Sequence, residues 1–278
     1  MSERSSAIRQ LVALFVLSAV SLALPLFAPF DPLLVITEAR LQPPSPEHLL
    51  GTDELGRDIL SRVLWGTATT VTVSVVSLIS ALLIGVIAGA VAGYYYQRWP
   101  DRLIMWIADV LSAIPFLVFV AGVLAIWGGG LLKAYVLLTL VMWTNSARQV
   151  RGEVIKIMPL DWVAADRVAG LSEANILFRK VLPKCISPAV LFSLSYLPDI
   201  VALEAGLSFL GLGLQPPEPG LGKMIFDGIS YSGSAWWISL APASMLVLIV
   251  VFARALGNPS AKGKARFLGG MGIGRNRT

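Results

Sequence analysis

Three carboxylates lie within apolar stretches of the sequence, where a charge is costly and usually indicates binding or transport. They are Asp109, Asp199 and Glu204. Asp199 and Glu204 are five residues apart, about 140° around a helix axis, so they cannot both face one partner squarely. Two interpretations stay open for each carboxylate: a contact on a translocation path, or a hydrogen-bonded strut to a neighbouring helix or subunit.

Residue types that support catalysis or metal binding are scarce. His48 is the only histidine and Cys185 the only cysteine. We expect His48 to be a surface residue of an outer loop and Cys185 to be a small apolar packing residue. No G-x-x-x-x-G-K-[ST] phosphate loop occurs, so any ATP would be handled by another chain. The sequence therefore predicts no catalytic residue, no metal site and no cofactor, and it disfavours a membrane-embedded enzyme.

The composition is that of a membrane protein. Hydrophobic residues make up 56% and charged residues 14% of the chain, and mean hydropathy is +0.74. Soluble domains carry about 25% charged residues. We predict an all-α polytopic membrane protein with six transmembrane helices, because about 20 apolar residues cross a bilayer. The predicted spans are 11–30, 63–97, 110–132, 132–150, 186–214 and 228–253.

The distribution of Lys and Arg predicts that both termini are cytoplasmic, because basic residues concentrate on that side of the membrane. With this topology only five basic residues fall outside, namely Arg40, Arg57, Arg62, Lys133 and Lys223. A cleaved signal peptide is the alternative for residues 1–30, but its removal would conflict with the basic tail. The net charge of +5 is then a topology signal, and no nucleic-acid partner is predicted.

The chain is divided into three regions. Residues 1–68 hold the first span and an outer segment, in which Thr52 is predicted to cap an amphipathic surface helix. Residues 69–260 form a five-helix core with a cytoplasmic loop at 151–183. Residues 261–278 form a basic cytoplasmic tail that we expect to touch lipid headgroups.

Two features of the core bear on its packing and access. Gly85, Gly89 and Gly93 are spaced four apart, which predicts a face for close helix approach, although ordinary glycine content is an alternative. Residues 207–237 are rich in Gly and Pro, with Pro216, Pro217 and Pro219 as breakers, and a short surface helix at 224–231 is predicted as a lid or outer gate.

The polar segment 148–183 is the strongest candidate for contact with a soluble partner. Asp161 is predicted to be the N-cap of a helix over 162–169, and Gly170 to form its C-terminal turn. Ser172 is predicted to cap a second helix that Pro183 and Pro188 limit. A short helix joined rigidly to two spans can pass a displacement from a cytosolic protein into the membrane.

Three stretches of this chain resemble a known family. DWVAADRVAGLSEANILFRKVLP resembles the EAA loop of binding-protein-dependent ABC importer permeases. HLLGTDELGRDILSRVLWG and LEAGLSFLGLGLQPPEPGLGKMI resemble the C-type subunit of its dipeptide/oligopeptide/nickel branch. Ala164 stands where the family's signature begins with Glu and Asp166 at its third position, so Gly170 is the firmest match in the loop.

The resemblance implies a type I ABC importer permease fold in a bacterial cytoplasmic membrane. It implies four partners besides membrane lipid: a paralogous permease, two ATP-binding subunits that carry ATP and Mg, and an extracytoplasmic solute-binding protein. Peptides, nickel chelates, metallophores and opines are all candidate cargoes. An ion-coupled secondary transporter is the competing class, but no internal repeat is evident.

The resemblance also indicates site residues. The residues expected to contact the ATPase are Asp161, Trp162, Ala164, Ala165, Asp166, Arg167 and Gly170. The residues expected on the translocation path or at its gate follow instead from carboxylates in apolar stretches and from the predicted lid, and they are Asp109, Asp199, Glu204 and Met224.

Overall fold

Helices account for most of the computed structural model, which describes residues 2–215 and 217–257, with side chains from residue 7 onwards. The longer helices are α1 (Ser2–Ala23), α2 (Ile59–Tyr94), α3 (Trp99–Ala113), α4 (Phe116–Trp127), α5 (Leu131–Ile157) and α6 (Asp161–Val168). They are followed by α7 (Glu173–Asn175), α8 (Leu182–Leu194), α9 (Leu197–Phe209), α10 (Leu221–Ile229) and α11 (Trp237–Gly257). The predicted tail 261–278 and Pro216 lie outside the described residues.

Three helices are long and apolar enough to cross a membrane: Ala7–Phe27, Ile59–Tyr94 and Trp237–Gly257. Two bent pairs raise the number to five if each counts as one span. The pair α3 and α4 is bent by 88°, and Glu173–Leu194 with α9 is bent by 46°. Helix α5 has 27 residues but carries charges along its second half. Six continuous spans are therefore not found in the described residues.

The predicted span 110–132 is wrong as a single straight helix. Helix α3 ends at Ala113, and Pro115 is the N-cap of α4 with an extended-type ψ of 124°. A residue before proline is pushed out of the helical region, which explains the extended Ile114 and the break at this point.

The outer segment also differs from the prediction. No helix begins at Thr52; α2 begins at Ile59, and Asp58 is its N-cap, accepting a hydrogen bond from Ser61 N. Residues 28–58 are irregular apart from one 3-10 turn at Thr37–Ala39 and a β-bridge between Thr52 and Asp58. The predicted amphipathic surface helix is replaced by this folded loop.

The helix that Ser172 caps does not stop at Pro183 or Pro188. The Ser172 cap is confirmed, but α7 continues through a π-helical turn at Ile176–Val181 into α8. Pro183 falls in the first turn of α8, where no intrahelical N–H is required. The result is one nearly continuous helix from residue 173 to residue 194.

The glycine face of α2 is confirmed by its packing against α5. A Cβ placed on Gly85 would lie 2.4 Å from Ser146 Cβ, and one on Gly89 would lie 2.4 Å from the Ala147 carbonyl oxygen. Gly93 meets Val154 in the same way, at 2.7 Å. These two helices form the most extensive helix pair of the fold.

Gly89→Ala should therefore separate α2 from α5, because the added methyl would meet backbone that cannot yield easily. We expect a loss of about 1–3 kcal/mol, the usual cost of overpacking, measured as a lower thermal midpoint of the purified protein. Gly122→Ala is the matched control, since a Cβ there meets nothing within 4 Å. Equal midpoints for the two variants would contradict the packing role.

Candidate functional site

Helix α6 forms the centre of the predicted coupling segment. It spans Asp161–Val168, and its N-cap is Leu160, without a side-chain capping bond. The prediction that Asp161 caps this helix is therefore wrong; Asp161 lies in the first turn, where a carboxylate still complements the helix dipole.

The C-terminal turn of α6 matches the prediction. Gly170 has a φ of +82°, which L-residues with a Cβ rarely adopt. Gly170 N donates to the Arg167 carbonyl at 3.0 Å, and Leu171 N donates to the Asp166 carbonyl at 3.1 Å. This pair of bonds is the Schellman arrangement, which satisfies carbonyls left open at a helix end.

One face of α6 is anchored in the protein. Val163 is fully buried in a cluster that includes Val150 and Val154 of α5 and Val181 of the following helix. The Lys184 ammonium lies 3.5 Å from the centroid of the Trp162 ring, a cation–π contact to the start of α8. These contacts join α6 to α5 and to the start of α8.

Two of the three charged residues of α6, Asp166 and Arg167, bind within the chain. Arg167 Nε donates to Glu173 Oε1 at 2.8 Å, and this carboxylate raises the pKa of Arg167. Lys180 Nζ lies 3.9 Å from Asp166 Oδ2. The solvent-exposed face of α6 includes Ala164, Ala165 and Val168, and Val168 is 90% exposed.

Asp109 and Asp101 both bind arginines of α5. Arg148 Nη2 donates to Asp109 Oδ1 at 2.9 Å, and the Asp109 side chain is 71% exposed. Arg151 makes two bonds to Asp101, at 2.6 and 2.9 Å, and Asp101 is buried. Two-point Arg–carboxylate bonds are strong and directional, so α3 is fixed to α5; the pairing with Arg151 was not predicted from the sequence.

The remaining carboxylates of the predicted path have different environments. Glu204 is buried, with 3% exposure, and accepts a hydrogen bond from Ser208 Oγ at 2.9 Å. Asp199, in the first turn of α9, is exposed. Met224 of α10 is buried in the largest apolar cluster. The structure brings none of these side chains together with Asp109.

The prediction that His48 is a surface residue is wrong. His48 is 4% exposed; its Nδ1 donates to Asp58 Oδ1 at 2.9 Å, and its ring packs against Phe30 with the ring centroids 4.8 Å apart and the planes tilted by 37°. The other oxygen of Asp58 accepts from Ser61 N and Ser61 Oγ. Asp58 therefore joins the outer loop to the start of α2.

A second carboxylate extends this polar cluster. Asp53 Oδ2 accepts from Arg57 Nε at 2.7 Å and lies 3.5 Å from Arg62 Nε, while Arg62 also donates to the Pro32 carbonyl at 2.9 Å. Trp237 Nε1 of α11 donates to the Thr52 carbonyl at 3.2 Å. The HLLGTDELGRD motif thus fixes the outer loop to both α2 and α11. Within residues 7–215 and 217–257, no group of three or more His, Cys, Asp or Glu could hold a metal ion.

Comparison with known proteins agrees with this architecture. Residues 81–258 match the family described as binding-protein-dependent transport system inner membrane component. The chain is 34% identical to the di/tripeptide transport system permease protein DppC of Pseudomonas aeruginosa, over 88% of this chain and 83% of that protein. It is 33% identical to the oligopeptide transport system permease protein OppC of Mycobacterium tuberculosis, over 91% of this chain and 87% of that protein.

Two further similarities concern another transport system and a solved structure. The glutathione transport system permease protein GsiD of Pectobacterium atrosepticum is 37% identical over 77% of this chain and 71% of that protein. The inward-facing MetNI methionine ABC transporter has the same fold, with a TM-score of 0.56 at 23% identity over 70% of this chain and 92% of that one. The chain belongs to the family of binding-protein-dependent transport system inner membrane components, the permease components of ABC importers.

Asp58→Ala should destabilise the protein, because it removes the α2 cap and leaves His48 and Ser61 without their acceptor. Loss of an N-cap costs about 0.5–2 kcal/mol, and each buried donor left without its acceptor costs about 1–3 kcal/mol. We expect the thermal midpoint to fall by roughly 2–4 °C for each kcal/mol of stability that is lost. Glu38→Ala, at an exposed position of the same loop, should change it little. Similar midpoints for both variants would show that the cluster is not stabilising.

Proposed function

We propose that this chain is one transmembrane half of an ATP-driven importer in a bacterial cytoplasmic membrane. It pairs with a related permease chain, two ATP-binding subunits bind ATP and Mg below it, and a solute-binding protein delivers cargo from above. The six spans are α1, α2, the bent pair α3 and α4, α5, the bent helix 173–209, and α11. The observation that supports this proposal most is the packing of α6, which has one face buried against the neighbouring helices and the other face exposed.

Alternating access in this proposal uses the contacts of α6. Closure of the ATP-binding subunits pushes on Ala164, Ala165 and Val168. The buried Val163 and the pair Arg167–Glu173 pass the displacement to α5 and to the helix from residue 173 to residue 194. That helix ends at the 46° bend before α9, where a change in angle opens or closes the path.

Peptides are the proposed cargo, because the relatives over most of the chain are named as di/tripeptide, oligopeptide and glutathione permeases. Nickel chelates, metallophores and opines are alternatives from the wider family. We expect the solute-binding protein to make the selection, and the ligand that it carries would identify the cargo directly.

An ion-coupled carrier is the competing function. The two are separated by reconstituting the chain with its paired permease in liposomes, with and without the ATP-binding subunits. ATP-dependent uptake only in the complete complex supports the importer. Gradient-driven uptake without the ATP-binding subunits would replace it with a secondary transporter.

The proposed topology, with both termini cytoplasmic, is tested by alkaline phosphatase fusions. Fusions after Glu47 or Pro217 should be active, because the enzyme folds only outside the cytoplasm. Fusions after Pro159 or Ala265 should be inactive. Reversed activities would place α6 outside the cell and rule out its contact with an ATPase.

Gly170→Ala should uncouple transport, because alanine in this left-handed turn is strained by about 1–3 kcal/mol. We expect uptake by the reconstituted complex to fall at least about fivefold, the equivalent of 1 kcal/mol. Fewer ATP-binding subunits should co-purify, or their hydrolysis should lose its dependence on the loaded solute-binding protein. Docking of that protein on the outer face should persist.

Gly152→Ala is the matched control for this experiment. A Cβ at either glycine meets nothing within 4 Å, but only Gly170 has a positive φ. Normal uptake, co-purification and stimulated hydrolysis in Gly170→Ala would show that α6 is not the coupling element.

A further inference from the structure

A cavity of about 240 Å³ lies where the end of α11 meets the break between α8 and α9. Its lining residues are Ser195, Asp199, Arg254 and Gly257. A Cβ on Gly257 would lie 2.8 Å from Ser195 Cα, so close backbone contact forms one side of the cavity. A carboxylate and a guanidinium therefore share one small opening.

Both charged groups of this cavity are available to a ligand. Asp199 and Arg254 are exposed, and none of the ion pairs found among the described residues uses either side chain. Asp101 and Asp109, by contrast, are paired with arginines of α5. The cavity thus offers one negative and one positive group to the same molecule.

The length of α11 places this cavity at a membrane boundary. Its 21 residues rise about 31 Å, close to the thickness of the hydrocarbon core. The helix begins at Trp237, beside Trp236, and tryptophans are enriched at the interface. Arg254 lies in its last turn, so the cavity lies where lipid headgroups meet the hydrocarbon of the opposite leaflet.

An apolar stripe on α11 leads to the cavity. Val247, Val251 and Arg254 are spaced four and three residues apart, so they share one face of the helix. Val247 and Val251 are both exposed by about 60%. An acyl chain lying along these valines would end in a headgroup beside Arg254.

We propose that this cavity binds the headgroup of a zwitterionic phospholipid with a primary ammonium, of the phosphatidylethanolamine class. The Arg254 guanidinium binds the phosphate, with the planar donor geometry that suits phosphate oxygens. The Asp199 carboxylate accepts hydrogen bonds from the ammonium. A lipid whose headgroup carries only a negative charge would meet repulsion from Asp199, so this carboxylate selects the headgroup.

Lipid binding is measured on the full-length chain, purified with its partner subunits in detergent and delipidated. Native mass spectrometry then compares phosphatidylethanolamine with phosphatidylglycerol of the same acyl chains. The wild type should prefer phosphatidylethanolamine about fivefold, because one charge near the membrane surface contributes about 1 kcal/mol. Asp199→Asn should reduce this preference to within about twofold, and Arg254→Gln should weaken binding of both lipids.

Glu38→Gln, which removes an exposed carboxylate distant in sequence from this cavity, should keep the wild-type preference. The preference is a ratio, so it does not depend on how much of a variant is folded. Equal binding of the two lipids by the wild type, or a preference that survives Asp199→Asn, would overturn the proposal. Displacement of phosphatidylethanolamine by a dipeptide would assign the cavity to cargo instead.

Discussion

The close approach of α2 to α5 is the contact on which the rest of the fold depends. Lipid gives no hydrophobic driving force between spans, so two helices must gain from van der Waals contact and need small residues at the interface. Gly85, Gly89 and Gly93 meet this requirement against Ser146, Ala147 and Val154. Val154 in turn packs in the cluster that buries Val163 of α6. The packing of α2 against α5 therefore sets the position of α6.

The two ends of α2 are stabilised by different interactions. At its N-terminal end, Asp53 and Asp58 are buried and satisfied by Arg57, Arg62, His48 and Ser61. Buried charges are tolerated only when they are paired and hydrogen-bonded, so this end is rigid. Near the C-terminal end of α2, helix α6 buries one apolar face and exposes Ala164 and Ala165. One fixed end and one accessible end of α2 suit the proposed movement of the protein by a partner that contacts only one side.

The three carboxylates of apolar sequence stretches look alike in the sequence but have separate environments in the structure. Glu204 is enclosed and accepts a hydrogen bond from Ser208 of its own helix, α9. Asp109 is an exposed partner of Arg148. Asp199 opens to a cavity beside Arg254. Of the three, only Asp199 has no hydrogen-bond or ion-pair partner among the described residues. Because it lies on α9 beside the end of α11, we propose a lipid rather than the cargo as its ligand.

Local chemistry in the sequence was enough to predict several features. The apolar content predicted membrane helices, Gly170 predicted the end of α6, Ser172 predicted the next helix start, and the glycine spacing predicted a packing face. Each of these depends on residues within one or two turns, where backbone sterics and hydrogen bonding decide the outcome. The family resemblance was also visible in the sequence, in three motifs of which residues 203–225 are one.

The partners of the polar side chains were decided only by the tertiary structure. His48 is buried because Phe30 and Asp58 enclose it, and Arg151 pairs with Asp101 across 50 residues. Pro115 explains locally why the helix breaks, but the 88° angle between α3 and α4 and the start of α2 at Asp58 rather than Thr52 were visible only in the folded chain. A sequence pattern specifies which faces a helix must bury, but not which neighbour will bury them. For that physical reason the sequence could predict helices and turns, whereas the networks that join them required the folded chain.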